Sequence, residues 1–97
     1  MIYCFDLDNT LCITVDGDYK NSTPIQDRID RVNKLHSEGN RIIIDTARGS
    51  VTGINWFDLT KNQLDSWGVS YDELRVGIKK YADVYIDDKG ISDTVFF

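Results

Sequence analysis

The sequence predicts an α/β domain, a parallel sheet with flanking helices, and three observations predict it. Short apolar runs of strand length alternate with segments of helical periodicity, the pattern that right-handed crossovers between parallel strands produce. The runs at 2–6, 42–44 and 84–86 are nearly continuous rather than alternating, as in strands covered on both faces. Each run then ends in polar residues: Asp-Leu-Asp-Asn-Thr at 6–10, Asp-Thr-Ala-Arg-Gly at 45–49, and Asp87-Asp88. With 97 residues there is material for one core, so residues 1–97 read as a single domain.

The elements follow in order. Residues 2–6 form the first buried strand. Asp16-Gly17, between Ile13-Thr14-Val15 and Asp18-Tyr19, predicts a small hairpin. Thr23 then reads as an N-cap, with Pro24 at the first helical position and Gln26 closing a capping box. Ile25, Ile29, Val32 and Leu35 recur at helical spacing and Gly39 supplies the stop, which predicts an amphipathic helix over 24–38. Ile42 to Ile44 is the second buried strand. Thr60 and Gln63 repeat the capping-box spacing and open a short helix that carries Leu64 and Trp67 on one face and ends at Gly68. Residues 69–76 read as a short strand and a turn. Val84-Tyr85-Ile86 is the last strand.

Composition excludes several classes. The chain is 41% apolar and 28% charged, ordinary for a folded soluble protein. Sixteen acids against eleven Lys plus Arg give a net charge of −5, unsuited to a nucleic-acid polymer or an anionic lipid surface. No apolar run exceeds five residues, so no transmembrane span is expected, and the N-terminus lacks the basic flank of a signal peptide. Cys4 and Cys12 are too few for a disulfide framework and are not spaced as a zinc site; they read as buried or half-buried free thiols of a reducing, cytoplasmic compartment. A single histidine, His36, leaves no multi-histidine metal site and reads as structural.

The polar strand ends carry the functional signal. In open parallel sheets, ligands bind outside the carboxyl ends of the strands, so three sequence-distant clusters are expected to meet in one crevice. Asp6-Leu7-Asp8-Asn9-Thr10 after the first strand, Thr46 after the second, Lys79 before the third tip and Asp87-Asp88 at that tip match, in order, the four motifs of the haloacid dehalogenase superfamily. The chain resembles its small capless phosphatases, most nearly those grouped with capsular polysaccharide biosynthesis. These share Ile-Ile-Ile-x-Thr-Ala-Arg-Gly at 42–49, Gln-Leu-x-x-Trp-Gly-Val-x-Tyr at 63–71 and Tyr-Ala-Asp-x-Tyr-Ile-Asp-Asp-Lys at 81–89. Asn9 stands where Gly is commoner, and Asn tolerates positive φ better than most residues. No insertion is large enough for a cap domain.

The resemblance implies a compact Rossmann-like, capless fold and a Mg²⁺-dependent phosphoric monoester hydrolase acting through an aspartyl-phosphate. Asp6 would be the nucleophile. Asp8 would protonate the leaving oxygen and then activate water. Thr46 would bond the transferring phosphoryl group and Lys79 would neutralise its oxygens, with Lys80 the neighbouring alternative. Four carboxylates in one crevice require compensation, because two like charges about 4 Å apart repel by about 4 kcal/mol at an effective dielectric of about 20. Mg²⁺ fits beside phosphate, held by the Asp6 carboxylate, the Asp8 main-chain carbonyl and Asp88, with Asp87 neighbouring or exchanging places with Asp88. Asn9, Ala47 and Arg48 are placed toward substrate.

Each assignment has a plainer rival. Asp6 and Asp8 are alternatively an acidic strand cap, Thr46 a turn hydroxyl serving its own backbone, and Arg48 half of a surface salt bridge. Tyr19 and Lys20 are either solvated loop or a small flap over the site; Trp56, Phe57, Leu64 and Trp67 read as core. The leading expectation is a phosphatase for a small phosphorylated metabolite, a sugar phosphate. Alternatives are a nucleotide or nucleic-acid-end phosphatase, a phospho-receiver module, which needs more βα units than fit here, and a catalytically dead binding module. An open capless site leaves room for a bulky substrate or for cover by a second subunit in a homo-oligomer.

Overall fold

The structure, a computed structural model, describes every residue except 80, 81, 83, 85 and 87. In chain order it contains β1 (Ile2–Phe5), β2 (Cys12–Ile13), a 3-10 turn at Tyr19–Asn21, β3 (Thr23–Pro24), α1 (Gln26–Ser37), β4 (Arg41–Thr46), α2 (Phe57–Ser66), β5 (Glu73–Val76) and α3 (Asp93–Phe96). A parallel sheet runs in the order β1-β4-β5, and β2 pairs with β3 as a separate antiparallel ribbon.

Register explains the core. Tyr3 lies opposite Ile42, and Phe5 opposite Ile44, which in turn faces Leu74; side chains paired this way share one sheet face. Ile29, Val32 and Leu35 of α1 and Leu64 of α2 bury against that face. Because both helices pack there, the alternate residues of β1 stay outside: Ile2 is 69% exposed and Cys4 is exposed. The expectation that β1 is covered on both faces, and that both thiols are at least half-buried, is therefore corrected. Cys12 is fully buried.

Both capping boxes are replaced by other uses of the same residues. Thr23 and Pro24 pair with Ile13 and Cys12 in the ribbon, which demands extended backbone, so α1 starts at Gln26 with Ile25 as its cap and no side-chain capping bond. Thr60 sits inside α2, its N–H bonded to the Trp56 carbonyl, and its hydroxyl goes elsewhere. The turn at Asp16-Gly17 does form, with φ of 50° and 72°. The strands joined across it are 12–13 and 23–24, not the immediate neighbours.

The short strand expected within 69–76 is β5, which pairs with β4 at one edge of the sheet. Of the expected strand at 84–86, Tyr85 lies outside the described residues, while Val84 and Ile86 carry no strand pairing and are 72% and 97% exposed. No helix among the described residues is long and apolar enough to cross a membrane.

Candidate active site

The site begins where β1 ends. Phe5, Leu7 and Leu11 are buried, the two leucines completely, and they pin a tight turn in which the Leu7 carbonyl accepts from the N–H groups of Thr10, Leu11 and Cys12. With Phe5 and Leu7 held inward, Asp6 and Asp8 are turned toward the carboxyl end of the sheet. Asn9 takes the left-handed conformation that closes the turn (φ 62°), and its Oδ1 accepts the Thr14 N–H at 3.1 Å.

Asp8 is enclosed by donors. Arg48 reaches it with two nitrogens, Nε at 3.0 Å from Oδ2 and Nη2 at 2.7 Å from Oδ1. Thr14 donates its hydroxyl to Oδ1 at 2.6 Å and Thr46 donates to Oδ2 at 3.4 Å. Burial raises the Asp8 pKa, but these bonds, those of Arg48 foremost, outweigh it and hold the carboxyl below its ordinary value.

Arg48 itself is 1% exposed, which excludes the surface salt bridge. The rest of its guanidinium is committed elsewhere: Nη1 donates to Thr60 Oγ1 at 3.1 Å and to Gln63 Oε1 at 2.7 Å, and Nη2 also reaches Ser22 Oγ at 3.4 Å. Its plane lies 4.7 Å from the centroid of the Tyr19 ring. The Thr60 and Gln63 spacing that imitates a capping box is thus the ledge on which Arg48 rests. A buried cation of this kind is tolerated because it is paired and its donors are satisfied.

Asp6 has thinner company. Thr10 donates to Oδ2 at 3.2 Å, and Lys79 Nζ lies 3.6 Å from Oδ1. Burial dominates here and raises its pKa, opposed by Lys79, by the Leu7 N–H and by Thr10. The Lys79 assignment therefore meets its expected partner; Lys80 lies outside the described residues. Thr46, 1% exposed at the end of β4, donates to Asp8 and accepts the Arg48 N–H at 3.3 Å, the local backbone bond of the turn reading.

Of the acids of the expected third tip, Asp87 lies outside the described residues and Asp88 is exposed. Among the described residues no three His, Cys, Asp or Glu side chains converge as a metal site. Asp6, a partly exposed carboxylate, is a hard oxygen donor of the kind Mg²⁺ takes.

A cavity of about 520 Å³ opens from Asp6, Asp8 and Thr46, lined also by Asn9 and Ala47. Its walls are the 14–19 turn and the loop after β4, including Tyr19, Val51, Ile54 and Trp56. Gly49 makes that loop: at φ 82° an added Cβ would lie 2.1 Å from the Ile54 carbonyl oxygen, so no larger residue fits. Tyr19 meets Trp56 edge to face, with centroids 5.1 Å apart. The flap reading of Tyr19 is therefore the one the geometry supports, and Trp56, read as core, is cavity wall. Neither residue carries a sequence signal beyond its aromatic ring. His36, in the last turn of α1, lies 3.4 Å from Asp72 and does not line the cavity.

No family model and no curated protein matches the chain. A Vibrio cholerae protein solved by crystallography as an MCSG target is 31% identical, over 98% of this chain and 85% of that one, with a TM-score of 0.86. At that identity and coverage, the chain belongs to the same family as this Vibrio cholerae protein.

Proposed function

We propose that this chain is a capless phosphatase of the haloacid dehalogenase type, with a Rossmann-like fold, hydrolysing a small phosphorylated metabolite through a phosphoryl group on Asp6. The observation that carries the reading is one juxtaposition. Two carboxylates two residues apart leave the end of β1, with Thr46 from the end of β4 bonded to one and Lys79 paired with the other. An acidic strand cap needs none of these partners.

The chemistry follows from the surroundings of each residue. Asp6, 42% exposed at its side chain, is the carboxylate that a phosphorus atom can approach, and Lys79 offsets charge on it. Attack forms the Asp6–phosphorus bond as the bond to the leaving oxygen breaks. Asp8 is the second carboxylate, and its role places it opposite Asp6 across the phosphorus, where the leaving oxygen departs and water later enters. Arg48 holds it ionised, the form that accepts a proton from water when the phosphoenzyme is hydrolysed. To donate a proton to the leaving oxygen in the first step, Asp8 must first take one up from solvent, which the incoming phosphoryl oxygens favour by competing for the Arg48 donors. Mg²⁺, held by the Asp6 carboxylate and the Asp8 carbonyl with Asp88 or Asp87, would supply charge neutralisation for the phosphoryl group. The test is hydrolysis of an aryl phosphate with and without a divalent cation: release of phosphate only with the cation supports the reading, and equal release in excess chelator overturns the metal assignment.

A further inference from the structure

We infer that the cavity between the 14–19 turn and the loop after β4 receives the leaving group, and that it selects monophosphate esters of a neutral, hydroxylated ring against esters that carry a second anion. The inference rests on the phosphatase reading and deepens it. A volume of about 520 Å³ falls within the range of small-molecule sites, so it holds a body of monosaccharide size rather than a phosphoryl group alone.

Charge decides the class. Among the described residues lining this cavity there are three carboxylates, Asp6, Asp8 and Asp16, and one cation, Arg48. That cation is bonded to Asp8, Thr60 and Gln63, and what it can share goes to the transferred phosphoryl group, so none is left for a second anion. A substrate carrying a second phosphate or a carboxylate would bring another negative charge against Asp16 and an apolar wall, and burying an unpaired charge is costly.

The same wall suits a ring. Tyr19 is fixed in place by Arg48 on one face and by Trp56 at its edge, and Gln63 holds its main-chain carbonyl. Such a preset aromatic corner binds the C–H face of a ring without first paying to order itself. Asn9 and Thr52, both exposed, line the same cavity and offer polar groups to ring hydroxyls, which a purely apolar ligand would desolvate without pairing.

The experiment measures kcat/KM with Mg²⁺ for four probes: acetyl phosphate, a hexose monophosphate, a hexose bisphosphate and 3-phosphoglycerate. The hexose monophosphate should exceed both doubly anionic esters by about tenfold or more. Trp56→Ala should lower the ratio of hexose monophosphate to acetyl phosphate by about tenfold, the scale of a lost packing contact in a specificity pocket. Ile54→Lys, at a 54% exposed position and so safe for folding, should raise 3-phosphoglycerate relative to the hexose monophosphate several-fold. Equal or better turnover of the doubly anionic esters, or ratios unmoved in both variants, overturns the inference while leaving the phosphatase reading intact. Failure to hydrolyse any probe, acetyl phosphate included, overturns both.

Discussion

Asp6 and Asp8 are separated by one leucine and live in opposite surroundings. Asp8 faces a guanidinium, two hydroxyls and a thiol drawn from the turn, the ribbon and β4, and the guanidinium is braced in turn by α2. Asp6 faces one hydroxyl and one lysine at 3.6 Å. The first carboxylate is built into the fold as part of a closed polar network; the second is left partly desolvated and only partly compensated. Networks of the first kind fix geometry, and imbalances of the second kind are where binding and catalysis are found. On the proposed function the comparison becomes a division of labour, with Asp8 holding the site together and Asp6 the carboxylate that reacts.

Catalysis should separate them most. Asp6→Asn removes the attacking carboxylate, so turnover should fall to background and no phosphoprotein should form. Asp8→Asn keeps the nucleophile and should lose about 10²–10⁴-fold, with a phosphoryl adduct accumulating because water is no longer activated. Intact-protein mass spectrometry after a rapid acid quench reads both. An adduct on Asp6→Asn would reverse the two roles.

Stability should separate them in the other direction. Asp8→Asn strands a buried guanidinium, a loss of about 3 kcal/mol, or roughly 15 °C in melting temperature for a domain of this size. Asp6→Asn removes a desolvated charge and should leave the melting temperature unchanged or higher. The double variant Asp8→Asn/Arg48→Met should recover part of the loss, since neither charge is then orphaned. If Asp6→Asn is the more damaging of the two, the division of labour is wrong.

Divalent cation sharpens the comparison from the Asp6 side. Mg²⁺ at about 100 times its dissociation constant should stabilise the protein by about 2.7 kcal/mol. Asp6→Asn should abolish that gain and Asp8→Asn should keep most of it, because the Asp8 contribution is a main-chain carbonyl. Asp88→Asn should reduce the gain more than Asp87→Asn, and the reverse order would transfer the ligand to Asp87. On the Asp8 side, Thr60→Val or Gln63→Met should each cost about 1–2 kcal/mol by leaving an Arg48 donor unpaired. Lys61→Ala, which breaks an exposed, solvent-screened pair with Asp65 at 2.8 Å on the same helix, should leave the melting temperature unchanged. Thermal melts in one buffer compare all seven single substitutions.

How much of this was legible depends on how local the cause is. The Asp6–Thr10 turn was legible because Phe5, Leu7 and Leu11 alternate with the acids, and that pattern orients them without help from elsewhere. Gly39 and Gly68 marked helix ends for the same reason, and both have positive φ. The meaning of Thr60 and Gln63 was not legible. A capping box and a ledge for a distant arginine share one spacing, and only the position of Arg48, 12 and 15 residues away in sequence, decides between them. Thr23 was misread similarly, because its pairing with Ile13 depends on where the intervening loop returns. Arg48 remained divided between substrate and surface since nothing in the sequence reports burial of a charged residue whose partners lie on three other elements.

Acid titration gives the finest test of the comparison, because the two carboxylates should act on opposite sides of the unfolded value, about 3.9 for Asp. Asp6 has a raised folded pKa, so the folded state binds its proton more tightly than the unfolded state does. Its contribution is fully present below about pH 3.9 and is lost as pH rises through the folded value. The advantage of Asp6→Asn over the parent should therefore be absent in acid, grow above about pH 3.9 and then level off. Asp8 has a lowered folded pKa, so its contribution is present above about pH 3.9 and is lost as pH falls through the folded value. The deficit of Asp8→Asn should accordingly be flat above about pH 4 and shrink only below it. Denaturant melts of the three proteins across this range, in chelator so that no cation titrates with them, give two difference curves. Curves that bend on opposite sides of about pH 3.9 uphold the contrast between the carboxylates. Curves that bend together would mean that the pair titrates as one unit and that Arg48 serves both.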